Sequence, residues 1–209
     1  MPRVGVLALQ GDFALHAELL RELGVDVQLV RRAAELESCQ ALVLPGGEST
    51  TLARLLDTQG LRDTVSDFVR RHPVLGTCAG CILLAAELED AGGVEPLSRL
   101  DIRVRRNGFG RQVDSFEAPI VVEGVDPAAA PPVGSPVAFI RAPRITRVGE
   151  SATVWGRWSG EVVAVREGTA AALTFHPEVI GDPSWHEAWL KSAGLLADRG
   201  SLDGLSGAF

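Results

Sequence analysis

Hydrophobic positions along this chain fall into short runs, and helical stripes alternate with them. Val4 to Leu9 (VGVLAL) is a continuous apolar run, the pattern of a parallel strand covered on both faces. Gln10-Gly11 ends it, Asp12 is placed to cap a helix over Phe13 to Leu23, and Phe13, Leu20 and Leu23 share one stripe. Gly24 stands where a helix-terminating glycine is usual. Val25 to Val30 (VDVQLV) alternates like a half-covered strand near a sheet edge, and Arg31 to Ser38 predicts a short polar helix. Ala41 to Leu44 (ALVL) is a third strand running straight into Pro45-Gly46-Gly47-Glu48-Ser49-Thr50. Helices follow, the second over Asp63 to Arg71, before an apolar strand from Pro73 reaches Gly76-Thr77-Cys78-Ala79-Gly80 and a further helix. Strand and helix in this alternation predict an α/β fold with a three-layer, doubly wound, mostly parallel sheet.

Past that helix the texture changes. Leu97 to Val125 is strand-like but interrupted by a basic, glycine-bearing loop from Arg103 to Arg111. Asp126 to Pro136 has four prolines and no periodicity, which predicts a surface excursion. Val137 to Ile140 predicts a strand, as do Ala152 to Arg166 and Ala170 to Phe175, the last two joined by a Glu167-Gly168-Thr169 turn. A last helix is expected over Trp185 to Asp198, with Trp189 and Leu190 inward. With no repeat and no internal linker, residues 1–198 read as one domain and residues 199–209 as a loose, Gly/Ser-rich tail.

Composition narrows the function classes. A chain of 209 residues, 46% hydrophobic and 22% charged, can bury a full core. Its net charge of −7 argues against a nucleic-acid footprint, which needs a basic face. No apolar run approaches the roughly 20 residues of a bilayer span, and the N-terminus lacks the cleavage site of a signal peptide. Cys39, Cys78 and Cys81 fit no even disulfide framework, and Cys78 and Cys81 have no second pair to complete a zinc site. The expectation is a cytoplasmic protein with no membrane partner, no metal and no cofactor.

Candidate chemistry then gathers at three strand ends. Gly76-Thr77-Cys78-Ala79-Gly80 is a G-x-nucleophile-x-G pattern with Cys78 in the nucleophile's seat. Its glycines suit a strand-to-helix turn too sharp for a Cβ on either side, and a helix start favours a thiolate. The ordinary alternative is a buried apolar cysteine. His176-Pro177-Glu178 closes an extended run, where period-two alternation would set both side chains on one side. A carboxylate beside an imidazole orients its tautomer and stabilises the imidazolium. Gly46-Gly47 lets backbone N–H groups approach a ligand closely, as oxyanion donors do. All three follow strands, and ligands bind at the carboxyl edge of open α/β sheets.

These residues, with Val4 to Gly11 (VGVLALQG), Pro45 to Thr50 (PGGEST), Gly76 to Cys81 (GTCAGC), Arg106 to Glu117 (RNGFGRQVDSFE), Phe139 to Pro143 (FIRAP) and Phe175 to Glu178 (FHPE), carry a resemblance. The chain is similar to the class I (triad) glutamine amidotransferases, and within them to the glutaminase subunits of ribose-phosphate-dependent pyridoxal phosphate synthases. The resemblance implies a flavodoxin-like domain that hydrolyses L-glutamine to glutamate and ammonia through a thioester. Cys78 would be the nucleophile, His176 the proton carrier and Glu178 its orienting carboxylate. Glutamine would lie against Gly46, Gly47, Glu48, Arg106, Ile140 and Arg141. The partner implied is a synthase subunit in a large hetero-oligomer. An arginine suits an amino-acid carboxylate, and the residues themselves leave open whether Arg103, Arg105 or Arg106 meets it. An amidotransferase subunit for another acceptor, a related cysteine hydrolase and a non-catalytic glutamine-binding regulator are the alternatives. PGGEST and RQVDSF argue against the first two, and the intact Cys78, His176 and Glu178 against the third.

Overall fold

In the strand Ala41–Leu44 (β3), Leu42 and Leu44 enter one hydrophobic cluster while Ala41 and Val43 enter the other. Successive side chains of a strand point to opposite faces, so a strand apolar at every position must be covered on both. The computed structural model, which describes residues 1–108, 115–124, 130–131, 134 and 136–197, builds this cover from two helical layers. Around β3 lie β1 (Arg3–Leu7), β2 (Asp26–Val30), β4 (Val74–Thr77) and β13 (Ala170–Leu173), all parallel, in the order β2-β1-β3-β4-β13. Antiparallel β12 (Glu161–Glu167), β11 (Thr153–Trp158) and β8 (Val121–Val122) extend the sheet to eight strands. The alternating strand β2 sits at the edge, as its half-polar pattern requires.

One face is covered by α1 (Phe13–Glu22) and α7 (Ser184–Ser192), whose Leu20, Trp185, Trp189 and Leu190 share a cluster with Val4, Val6 and Val43. The other face carries α2 (Ala33–Leu36), α3 (Ser49–Thr58), α4 (Arg62–Arg71) and α5 (Ala79–Leu84), whose Leu36, Leu52, Leu56, Val65 and Leu83 pack with Leu42 and Leu44. A three-stranded sheet, order β10-β6-β5, comprises β5 (Ala85–Leu88), β6 (Leu100–Arg105) and β10 (Arg144–Val148), and β7 (Phe116–Pro119) pairs with β9 (Pro136–Phe139). The short helix α6 (Pro177–Ile180) precedes α7. Among the described residues no helix is long and apolar enough to cross a membrane.

The sequence pattern misses some boundaries. The run Ala152 to Arg166 is a hairpin rather than one strand: Trp158 pairs with Glu161 across Ser159 and Gly160, both at positive φ (50° and 83°). Two central residues in the left-handed region make the tight turn that suits strand twist. Strands β5 and β10 lie where the pattern predicts none. The last helix stops at Ser192 rather than Asp198, because Gly194 turns into the left-handed region at φ 70°. Asp12 is at the N-cap of α1 but its side chain makes no capping hydrogen bond. The tail from 199, the centre of the RNGFGRQVDSFE motif and most of the segment 126–136 lie outside the described residues.

His186, on the inner face of α7, is fully buried, and burial first, then the neighbouring His16, pushes its imidazole down from 6.5 to about 3. The unfolded chain therefore takes up a proton that the folded chain refuses, so stability falls as pH drops below 6.5 and keeps falling towards 3. Between pH 6.5 and 4.5, before carboxylates contribute much, this linkage removes on the order of 2 kcal/mol. Denaturant titrations across that window should show the decline, and His186→Phe should flatten the slope whatever it does to absolute stability.

Candidate active site

Three neighbouring parallel strands end together, and each delivers one part of the site. The register pairs Leu44 of β3 with Gly76 of β4, and Thr77 of β4 with Leu173 of β13. Gly46-Gly47, Cys78 and His176 thus leave the same carboxyl edge side by side. A backbone hydrogen bond from Cys78 N–H to Leu173 O (2.8 Å) and another from His176 N–H to Ala138 O (2.8 Å) fix the two ends. The second also draws in the end of β9, which brings Ile140 and Arg141 to the edge.

Cys78 occupies φ 45°, ψ −97°, a conformation that side-chain-bearing residues rarely adopt. The bend is so tight that a Cβ on Gly76 would lie 2.6 Å from Gly80 C, and one on Gly80 would strike the Leu44 carbonyl. The Cys78 sulfur lies 3.9 Å from the Ile140 carbonyl, and it lines the same cavity as the His176 ring. On the other side of that ring, Nδ1 meets Glu178 Oε1 at 2.7 Å. The pair does not rest on strand alternation. β13 has already ended, and Glu178 lies in the first turn of α6, after Pro177 at the helix start. A tight strand-to-helix turn brings the carboxylate back onto the imidazole.

Both groups are buried, His176 at 3% and Glu178 at 2% exposure. Burial lowers the His176 pKa, but the Cys78 sulfur and the Glu178 carboxylate overcome it and push it up to about 10. Both flanking groups thus favour the charged form of the His176 ring. For Glu178, burial works upward, and the His16 and His176 rings reverse it, holding the carboxyl well below the usual carboxylate range. All three cysteines are buried. Burial pushes the Cys39 and Cys81 thiols up.

A cavity of about 220 Å³ opens above Cys78. Gly47, Glu48, Arg106, Ile140, Arg141 and His176 line it, and Gly46 backs it, packed against the His176 ring so closely that a Cβ there would strike the imidazole. Of the three arginines, only Arg106 reaches the cavity. Arg103 pairs with Glu87 (2.7 Å) and Arg105 with Glu89 (2.6 Å) across β6 and β5. Arg106 is held by the Ala91 carbonyl (2.8 Å) and Thr50 Oγ1 (2.9 Å), with its Nε buried and without a hydrogen-bond partner among the described residues. Glu48 caps α3, accepting from the Thr50 and Thr51 amides (3.0 and 2.6 Å). The Thr51 hydroxyl first, with those amides, holds its carboxyl down at about 2.

Sequence reasoning missed four further lining residues, Asp12, Ser49, Ile82 and Asn107. From the sequence alone His16 reads as a solvated helix residue or as part of a partner-facing edge, but it is fully buried behind Glu178. Nothing in the spacing of α1 could have marked it, since its partners come from β4, α6 and α7. Asp12, His176 and Glu178 form the one cluster of ligand-type side chains among the described residues, with atoms within 4.8 Å of one another. Because His176 Nδ1 is committed to Glu178, the cluster is a proton-handling pair with a nearby carboxylate rather than an open metal site.

The chain resembles known proteins over nearly its whole length. It is 47% identical over 199 residues to the pyridoxal 5'-phosphate synthase subunit PdxT of Cutibacterium acnes, covering 91% of this chain and 96% of that one. To the PdxT subunit of Mycolicibacterium vanbaalenii it is 49% identical over 196 residues, covering 91% and 97%. A crystal structure of a glutamine amidotransferase superposes with a TM-score of 0.82 at 43% identity, covering 91% of this chain and 98% of the other. The model of the SNO glutamine amidotransferase family matches residues 6–192, and the chain belongs to that family.

Proposed function

We propose that residues 1–198 act as one glutaminase unit that hydrolyses L-glutamine to L-glutamate and ammonia and supplies the ammonia to the synthase subunit of a pyridoxal 5'-phosphate synthase. The observation that carries this reading is the line Cys78, His176, Glu178 at the floor of a cavity bearing both charges. The Cys78 sulfur attacks the side-chain amide carbon, and the tetrahedral oxyanion collapses with loss of ammonia. His176 gives its proton to the departing nitrogen, and a thioester remains. Water, deprotonated by His176, then releases glutamate and regenerates the sulfur. Glu178 keeps His176 in one tautomer and stabilises its charged form.

The substrate's backbone is a zwitterion and needs a cation and an anion. Arg106 and Arg141 on the cavity wall suit its carboxylate, and Asp12 and Glu48 suit its ammonium. Cys78 N–H is engaged by Leu173 O, so oxyanion donors are sought at Ala79 and in the Gly46-Gly47 turn, the two places such donors come from after a nucleophile elbow. Gly47 stands at φ 143°, open in practice only to glycine. Gln10 Oε1 accepts from Glu48 N–H at 3.0 Å, so the first strand-to-helix junction and the Gly-Gly turn move together. Docking of the synthase subunit near Gln10 and Gly11 is a route to reorient that turn. The relatives' name, a synthase subunit, supports a hetero-oligomeric complex, and a cytoplasmic location goes with it.

Three outcomes test this. A glutamine-like electrophile such as a diazo-ketone should label Cys78; peptide mapping that finds the label mainly on Cys39 or Cys81 rejects the nucleophile. Cys78→Ala and His176→Asn should each abolish glutamine hydrolysis, with Glu178→Gln keeping a remnant, because nucleophile and base act as a unit. Near-wild-type turnover in His176→Asn rejects the triad. Purified chain should hydrolyse glutamine poorly alone and faster with saturating synthase subunit, by up to a few hundredfold for about 3–4 kcal/mol of preferential binding. Equal kcat/KM in the two conditions rejects activation by docking.

A further inference from the structure

The candidate triad is backed by a second, wholly buried layer of polar groups that the reaction as written does not use. His16 of α1 has no exposed surface, and neither have Thr77 of β4 and His186 of α7. His16 Nδ1 lies 2.8 Å from His186 Nε2, and His16 Nε2 lies 3.1 Å from Thr77 Oγ1 and 3.4 Å from Glu178 Oε1. That same Glu178 oxygen is the one bonded to His176.

The proton positions follow from what the surroundings can satisfy. His186 Nδ1 has no hydrogen-bond partner among the described residues. A proton there would be a buried orphan donor, which folded proteins avoid. His186 therefore carries its proton on Nε2 and donates to His16 Nδ1. His16 in turn carries its proton on Nε2, hydrogen-bonded to Thr77 Oγ1 and 3.4 Å from Glu178 Oε1. The reverse polarity would set a bare nitrogen lone pair 3.4 Å from a carboxylate oxygen and strand the His186 proton. His186 is also held uncharged by its burial.

We propose that His16 is a positioning residue that acts through Glu178, its Nε2–H tying the carboxylate to Thr77, the residue next to Cys78, while His186 fixes which His16 nitrogen bears the proton. One ring thereby sets the distance between the elbow and the carboxylate that orients His176. Without it, a buried carboxylate would have His176 alone as a side-chain partner and would be free to rotate its Oε2, which has no hydrogen-bond partner among the described residues, into the bond. This inference rests on the triad reading above, with Glu178 in its orienting role.

The test compares His16→Asn with His16→Gln in the complex with the synthase subunit, measuring glutamine hydrolysis. Asparagine places its amide where His16 Nδ1 sits and cannot reach Glu178, whereas glutamine extends its amide N–H to the Nε2 position. His16→Asn should lose at least about tenfold in kcat, the scale of losing an outer partner that orients a working histidine, with KM changed less than about twofold. His16→Gln should recover most of that loss at a similar thermal midpoint. In the double variant with Glu178→Gln, neither substitution at 16 should cost further activity, because the residue acts through the carboxylate that has already been replaced. Full activity in His16→Asn, equal losses in the Asn and Gln variants, or losses that multiply with that of Glu178→Gln overturn the inference. If His16→Asn does not fold, His16→Ala takes its place in the cycle with Glu178→Gln, and losses that multiply overturn the inference. Undiminished activity in Glu178→Gln itself would overturn the triad reading and this inference together, whereas a damaged Glu178→Gln beside a fully active His16→Asn overturns this inference alone.

Discussion

Everything at the carboxyl edge depends on the fixed lateral register of three parallel strands. Parallel ladders set neighbouring strands with evenly spaced bonds, and here β3, β4 and β13 end within one residue of a common level, with Gly46, Cys78 and His176 following shortly after those ends. A slip of one residue in β3 would exchange Leu42 and Leu44 with the smaller Ala41 and Val43 between two buried faces and mismatch the packing on both. Core packing thus fixes the geometry of the site. The strained backbone of Cys78 is affordable only because the strand before it and the helix after it are held by buried contacts on both sides.

Burying Glu178 is the second cost of the arrangement. An unpaired carboxylate in a protein interior is unfavourable by several kcal/mol, and 2% exposure leaves little solvent to relieve it. The compensation is local and mutual. His176 favours its charged form because Glu178 and Cys78 flank it, and Glu178 remains a carboxylate because His176 and His16 flank it. The same burial that keeps Glu178 dry keeps His186 uncharged, so one sealed pocket holds an imidazole that favours charge near its mouth and an uncharged one at its back. Acid attacks the back of this network first, and alkali attacks the front.

Legibility from sequence follows from the range of the interactions. The strands β1, β3 and β4, the glycine-flanked elbow and the His-Pro-Glu run are local patterns, and a reader of the chain alone finds them. His16 and His186 are 170 residues apart, and no spacing rule joins a helix position near the start to one near the end. The three arginines show the same limit at short range. Arg103, Arg105 and Arg106 look equivalent in the chain, yet strand alternation turns the first two towards Glu87 and Glu89, and the end of β6 frees Arg106 to enter the cavity. Glu178 is instructive in the opposite sense, since the pairing with His176 is legible from adjacency although the turn that makes it is helical rather than extended.

The Gly46-Gly47 turn ties these elements to the rest of the edge. A Cβ on Gly47 would lie 2.6 Å from Gln10 Oε1, and one on Gly11 would strike the Gly46 carbonyl. The first strand-to-helix junction and the turn after β3 are therefore in backbone contact, and each needs glycine for the sake of the other. Glu48, next along, is held at its amide by Gln10 and at its carboxylate by the start of α3, with Arg106 3.9 Å from the same carboxylate. Gln10 is thus in contact with Gly47 and, through Glu48, linked to Arg106. The two glycines are also the residues of this chain of contacts that can rotate without displacing a side chain. These contacts run from the end of β1 to the peptide packed against His176, beside an elbow and buried imidazoles that the core surrounds.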